Sequence, residues 1–367
     1  MSTDLEGRID VRLTQQAGRI TGVDIRSTRP QLARRLMAGR TPEEAADLAG
    51  MIFSLCGQAQ RAAARAACDA ALGKSTDSSD TIPVLMELAR EHAWRLLLDW
   101  PQEVDQAPDM ASLLALRQAP PEHFDASLET LLRETLLGEA PAAWLARDLA
   151  GLDAWARQGA TLPARLFAHL IATLGEGPDT GISQAAWLPE LSAWNPEMAT
   201  ALAHRTLADM AFCNLPDWRG APAETGAIAR SHRQPLVAEW IARRGRGMGA
   251  RLLARLHELA ELPYPMRTGG TRSLRAWSIG EGVGIAGVET SRGLLFHVAS
   301  LHDGKVADYR ILAPTEWNFH PAGPLAQALT GLDATTEDLN VQARLVSRSL
   351  DPCVAFGVEI ESEPGNA

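Results

Sequence analysis

Two of the four cysteines are candidate thiolate ligands, although taken singly each is more often a small buried hydrophobe. Cys56 lies in Ser54-Leu55-Cys56-Gly57-Gln58-Ala59, and Cys353 lies in Asp351-Pro352-Cys353-Val354-Ala355-Phe356. A thiolate is a soft ligand suited to iron or zinc. Cys68 and Cys213 lack any motif context and are read as small buried hydrophobes. The chain has no CxxC, no HExxH, no GxSxG elbow and no Walker A loop; the glycine-rich run that begins at Gly280 spells G-x-G-x-x-G over Gly282–Gly287, but no helix pattern follows it. Zinc-finger, nucleophile-elbow and nucleotide-binding chemistries therefore have no footing here.

The elements that must carry these residues can be read from pattern. Arg8–Leu13 and Arg19–Ile25 alternate polar and apolar residues around Gly18, which predicts two short strands. Thr41-Pro42-Glu43-Glu44 is a helix start, with Thr41 as N-cap and Glu44 placed to close a capping box. That helix is expected to run through Cys56 to about Leu72 and stop at Gly73, before a polar linker from Lys74 to Asp80. Helical spacing then dominates to about His257, with Leu236–Leu262 readable as one helix or two in series. Beyond Pro263, Gly269 and Gly270 break helix. Ser278–Val288, Leu294–Leu301 and Val306–Ala313 read as strands, and Gly280–Gly284 reads as a hairpin corner. His302-Asp303-Gly304-Lys305 supplies a tight Asp-Gly turn. A last helix, about Thr336–Leu350, delivers Cys353.

The fold class is thus α+β, mainly α. It divides along the sequence into an N-terminal β segment (1–40), a helical body (41–262) and a C-terminal hairpin region with the last helix (263–367). With 35 Lys and Arg against 45 Asp and Glu, the net charge of −10 argues against nucleic acid as a partner. No apolar run approaches the roughly 18 residues of a membrane span. The polar start MSTDLEGRID and the sparse cysteines point to a reducing cytoplasm, with no membrane partner.

A set of short stations resembles the nickel–iron hydrogenase large subunit. Glu289-Thr290-Ser291-Arg292-Gly293 through His297 resembles that family's E-x-PRG-x-x-xH segment. Asp303-Gly304-Lys305 and Ala313-Pro314-Thr315-Glu316-Trp317-Asn318 follow, the latter similar to APTTWN. Asp351-Pro352-Cys353 matches half of the C-terminal DPCxxC. Upstream, Glu6-Gly7-Arg8 resembles EGH, Gly39–Ala45 resembles GR-x-P-x-DA, Leu55-Cys56-Gly57 sits at RICGVC, and Glu224–Arg230 is similar to EVGPLAR. The resemblance implies a hydrogenase large-subunit-like helical body with small β elements at both ends, one hydrogenase-like unit overall.

The departures are specific. The family holds nickel and iron with two CxxC pairs, whose second members here are Ala59 and Phe356; the arginine before the first pair is Ser54, and the motif histidines are Ala63 and Glu359. Fourteen residues follow Cys353, none of them histidine. This combination resembles the HupK/HoxV type of hydrogenase assembly protein. It implies a scaffold rather than an enzyme, holding an Fe(CN)2(CO) unit transiently on Cys56 and Cys353 with no nickel. Arg292, Pro314 and Thr315 would surround the diatomic ligands, and Glu6 matches the family's proton-relay glutamate. The partners implied are a chaperone of the HypC type, the HypC/HypD complex and the hydrogenase large-subunit precursor. Two other readings are open: a metal-free structural module akin to the quinone-site subunit of complex I, and a minimal active hydrogenase. His297 is expected to be a hydrogen-bonded core histidine.

Overall fold

The computed structural model describes residues 7–30, 32–74, 81–269 and 273–362. Glu6, most of the polar linker and Gly270 lie outside the described residues. The chain forms two compact units. The first comprises residues 1–84, 183–229 and 272–367, and the second residues 85–182 and 230–271.

In the first unit, β1 (Arg8–Gln16) and β2 (Arg19–Ser27) form the expected hairpin. Ile9, Val11 and Leu13 on one face of β1 are buried, as period-2 patterning requires. A short parallel pair joins β3 (Ala186–Trp187) to β4 (Ala223–Glu224). The main sheet is antiparallel in the order β5 (Leu274–Gly280), β6 (Val283–Thr290), β7 (Gly293–His302) and β8 (Lys305–Leu312). The run Ser278–Val288 is therefore two strands, turned at Glu281 and Gly282, which both have positive φ. Asp303 and Gly304 likewise both have positive φ, the signature of a type I′ turn. Finally β9 (Ala355–Ser362) runs parallel to β1 and completes the order β2-β1-β9. Sequence patterning had left those last residues without an element.

The capping box at Thr41 forms in both directions: the Glu44 amide donates to Thr41 Oγ1, and the Thr41 amide donates to Glu44. The helix it starts does not continue to Leu72. It ends at Ile52, a 3-10 turn spans Ser54–Cys56, and a second helix runs Gly57–Ala71. The break lets the two helices fold against each other at glycines: a Cβ on Gly57 would stand 2.7 Å from the Gly50 carbonyl oxygen. The second helix presents a buried alanine face to the sheet, where a Cβ on Gly284 would meet the Ala67 oxygen at 2.2 Å.

The second unit is helical and is organised around buried polar anchors. Segment Leu236–Leu262 resolves into two helices, Pro235–Arg244 and Met248–Glu261. Asp179 accepts from the Gly249 and Ala250 amides at 2.9 and 2.8 Å and from Trp240 Nε1 at 2.9 Å. It thereby satisfies the orphan amides at the start of Met248–Glu261. Glu258 receives the Arg230 guanidinium at 2.9 Å and contacts His92 at 2.7 Å. Burial alone would raise the Glu258 carboxyl, but Arg230 and His92 hold it far below the usual range.

Candidate metal-cargo site

A cavity of about 390 Å³ opens in the first unit. Cys56 and Cys353 both line it, as do Arg292, Pro314 and Thr315. Five of the six residues singled out in the sequence are thus brought to one place, and Glu6 is outside the described residues. The walls are otherwise largely apolar, with Phe53, Leu55 and Leu295 among them.

The chain break described above places Cys56. It sits at the N-cap of the helix Gly57–Ala71, where the end of the helix dipole favours negative charge nearby. Its sulfur accepts a hydrogen bond from Gln60 Nε2 at 3.5 Å. Cys353 follows the helix Leu339–Ser349 and precedes β9. Asp351, with φ of 57°, turns the chain out of that helix. Thr315 Oγ1 donates to the Cys353 sulfur at 3.0 Å. Thr315 is set at the start of Pro314–Asn318, directly after β8. Both sulfurs thus receive a donor from a side chain on another part of the first unit or on the following helical turn. Both cysteines are partly exposed and in no disulfide, whereas Cys68 and Cys213 are buried. Burial pushes the Cys68 thiol up to about 12 and the Cys213 thiol up to about 11. They are inert at neutral pH.

Arg292 occupies the two-residue turn between β6 and β7. Its amide donates to Thr290 Oγ1 at 3.2 Å, and Thr290 Oγ1 donates to the Gly293 oxygen at 2.8 Å. Gly293 (φ 134°) packs against Thr225, whose Cγ2 a Cβ there would approach to 2.4 Å. Only glycine lets this turn sit so close. The Arg292 guanidinium lies 3.9 Å from Asp351, both side chains being almost fully buried.

A second guanidinium, Arg29, also lines the cavity, and sequence reasoning missed it. Arg29 pairs with Glu316 at 2.7 Å, with side-chain exposures of 14% and 7%. Burial alone would lower its pKa, but Cys353, Glu316 and Cys56 together hold it above its ordinary value. Gly7 (φ 70°) makes room for it, since a Cβ there would come within 2.7 Å of the Arg29 Cα. The signal available in the sequence was indirect: Glu316 replaces a neutral residue of the APTTWN-like segment and calls for a cation. Gln60 was missed too, although its place four residues after Cys56 puts both on one helix face. His297 is fully buried, with Gln60 Oε1 on Nε2 at 2.8 Å and the Tyr309 hydroxyl on Nδ1 at 2.6 Å, as expected of a core histidine. Among the described residues, no three His, Cys, Asp or Glu side chains converge as a metal-binding group.

The fold is that of nickel-dependent hydrogenases. Residues 266–359 match the nickel-dependent hydrogenase family profile. The structure aligns with the Ni-Fe-Se hydrogenase from D. vulgaris Hildenborough at a TM-score of 0.57 and 15% identity, covering 92% of this chain and 94% of that one. An NAD+-reducing [NiFe]-hydrogenase aligns at 0.54 and 16%, covering 92% and 93%. Full-length similarity is narrower. The chain is 33% identical to the hydrogenase expression/formation protein HupK of Rhizobium leguminosarum bv. viciae, over 96% of both chains. It is 32% identical to HoxV of Cupriavidus necator over 97% of both. The chain belongs to the HupK/HoxV family of hydrogenase expression/formation proteins. Its similarity to an uptake hydrogenase large subunit from Rubrivivax gelatinosus is 29% over 41% of this chain and 26% of that one.

Proposed function

We propose that this protein is an accessory scaffold, not an enzyme, in nickel–iron hydrogenase maturation. It holds an Fe(CN)2(CO) unit as transient cargo on Cys56 and Cys353 and passes it to the hydrogenase large-subunit precursor. The observation that carries this reading is the convergence of two cysteines, in no disulfide and from opposite ends of the chain, on one cavity that also holds two guanidiniums. Relatives named for hydrogenase expression and formation support it. So do Ala59 and Phe356, which stand where the resemblance implies bridging thiolates. Two thiolates suit one soft iron and grip it less firmly than four, as a carrier that must release its load requires. No nickel is expected.

The remaining groups fit that cargo. Arg292 and Arg29 supply N–H donors suited to cyanide nitrogens. Thr315, already donating to Cys353, steadies the sulfur. Phe53 and Leu295 give an apolar wall suited to a carbonyl ligand that offers no strong acceptor. The upstream donors are a HypC-type chaperone and the HypC/HypD complex, and the setting is a reducing cytoplasm that keeps the thiols free. No described helix is long and apolar enough to cross a membrane.

The transfer itself is the test. Protein isolated anaerobically from cells grown with iron-57 and the maturation proteins should carry about one iron. Mixing it with iron-free large-subunit precursor should move the label to the precursor. Label that never enters the wild-type protein, or that enters Cys56→Ala, Cys353→Ala protein equally well, contradicts the reading.

A further inference from the structure

The cavity is wired into the core behind it through Gln60. The helix Gly57–Ala71 puts Gln60 one turn beyond Cys56, and only 3% of it is exposed. Its amide nitrogen is 3.5 Å from the Cys56 sulfur, and its amide oxygen is 2.8 Å from His297 Nε2. His297 sits on β7 opposite Ile311, and Tyr309 sits on β8 opposite Ala299; the two are diagonal neighbours whose side chains meet at 2.6 Å between Nδ1 and the hydroxyl. His297 and Tyr309 are both fully buried.

The direction of this chain follows from satisfying its donors. Among the described residues, Tyr309 has His297 as its hydroxyl's partner, so the O–H donates to Nδ1. The neutral imidazole must then carry its proton on Nε2 and donate to Gln60 Oε1. That fixes the amide with its N–H toward Cys56. The reverse polarity would strand a fully buried phenol proton. Burial keeps both ends in the required state: it pushes the His297 pKa down to about 3 and raises Tyr309 well above its ordinary value. Neither group ionises at neutral pH, so the chain cannot reverse by titration.

We propose that Gln60 is a positioning residue for the metal-ligating sulfur of Cys56, held in donor polarity by His297 and Tyr309. This inference rests on the metal-cargo reading of the cavity and deepens it. A permanent N–H donor holds the sulfur in one orientation at the cavity wall. It also draws electron density from the sulfur and weakens its bond to a cargo that must leave. Cys353 is treated the same way by Thr315, through a rotatable hydroxyl rather than a locked amide.

The experiment uses the full chain in its Cys353→Ser form, so that Cys56 is the only thiolate at the site, loaded anaerobically with Co(II) alone. The near-ultraviolet sulfur-to-cobalt charge-transfer band reports the energy of the sulfur lone pairs. Gln60→Leu keeps the volume and removes the donor, and the band should move to longer wavelength at undiminished Co(II) stoichiometry. Tyr309→Phe leaves Gln60 in place but frees the imidazole tautomer and the amide to turn. It should give a smaller shift of the same sign, and it serves if Gln60→Leu folds poorly. A band at unchanged energy in both variants overturns the inference while leaving the cargo reading intact. Absence of any Cys56-dependent band in the parent protein overturns both.

Discussion

Replacing Arg29 by methionine removes one half of a buried ion pair and one of the two cations of the cavity. Glu316 then remains 7% exposed with no guanidinium at 2.7 Å. Unit charges about 4 Å apart interact by about 4 kcal/mol at an effective dielectric constant of about 20. Breaking a buried pair by deleting one partner typically costs about 3–5 kcal/mol, because the surviving charge stays desolvated. A loss of this size lowers the thermal midpoint of the first unit by something on the order of 10 °C. The pH dependence is the sharper signature. Burial raises the Glu316 pKa from 4.5 and Arg29 opposes that rise, so Arg29→Met raises it further. A carboxyl raised in the folded state costs nothing below its unfolded pKa and increasingly destabilises as pH climbs through the folded one. The deficit of Arg29→Met relative to wild type should therefore be larger at pH 8 than at pH 5, and Glu316→Gln in the same chain should recover most of it. Differential scanning calorimetry across that range measures both. A deficit independent of pH, or one that Glu316→Gln leaves untouched, refutes the assignment of Arg29 and Glu316 as a coupled pair.

Other outcomes follow from the same geometry. Gly284→Ala forces a methyl to 2.2 Å from the Ala67 oxygen and should cost about 1–3 kcal/mol, measured by denaturant unfolding, with the sheet and the helix Gly57–Ala71 pushed apart. His297, whose pKa falls to about 3 from 6.5, binds fewer protons folded than unfolded. Stability should therefore fall as pH drops from about 6.5 toward 3, by about 1.4 kcal/mol per unit at most. His297→Gln should remove that slope in acid unfolding curves. Thr315→Val deletes the donor to Cys353 at nearly constant volume; by strengthening the sulfur–iron bond it should slow the loss of bound iron to a chelator severalfold, and an unchanged off-rate would discount the contact.

Much of the scaffold was readable because it is local. The Thr41 capping box and the Asp303-Gly304 turn are written in two to four adjacent residues whose chemistry leaves few alternatives. The motif stations around Arg292, Pro314-Thr315 and Cys353 were likewise contiguous. What escaped depends on distance. The break at Phe53–Cys56 lies in a stretch whose composition suits helix throughout, and it exists because Gly50 and Gly57 meet face to face. The strand Ala355–Ser362 has a half-exposed, unremarkable pattern and becomes a strand by pairing with Arg8–Gln15 at the other end of the chain. Arg29 follows a strand with no motif around it, and only the fold shows that it faces Glu316 and shares a cavity with both cysteines. Gln60 was visible as a neighbour of Cys56, but its role needs His297 and Tyr309, two strands that pattern alone could not register against that helix.

The central claim is that Cys56 and Cys353 together hold an iron carrying cyanide and carbon monoxide. Infrared spectroscopy of the protein purified anaerobically from a host expressing the maturation proteins addresses it directly. The account predicts cyanide and carbonyl stretching bands in the wild-type protein, lost in Cys56→Ala and in Cys353→Ala while Cys68→Ala and Cys213→Ala retain them. Absence of these bands from the wild type, or their survival in both Cys56→Ala and Cys353→Ala, would contradict it.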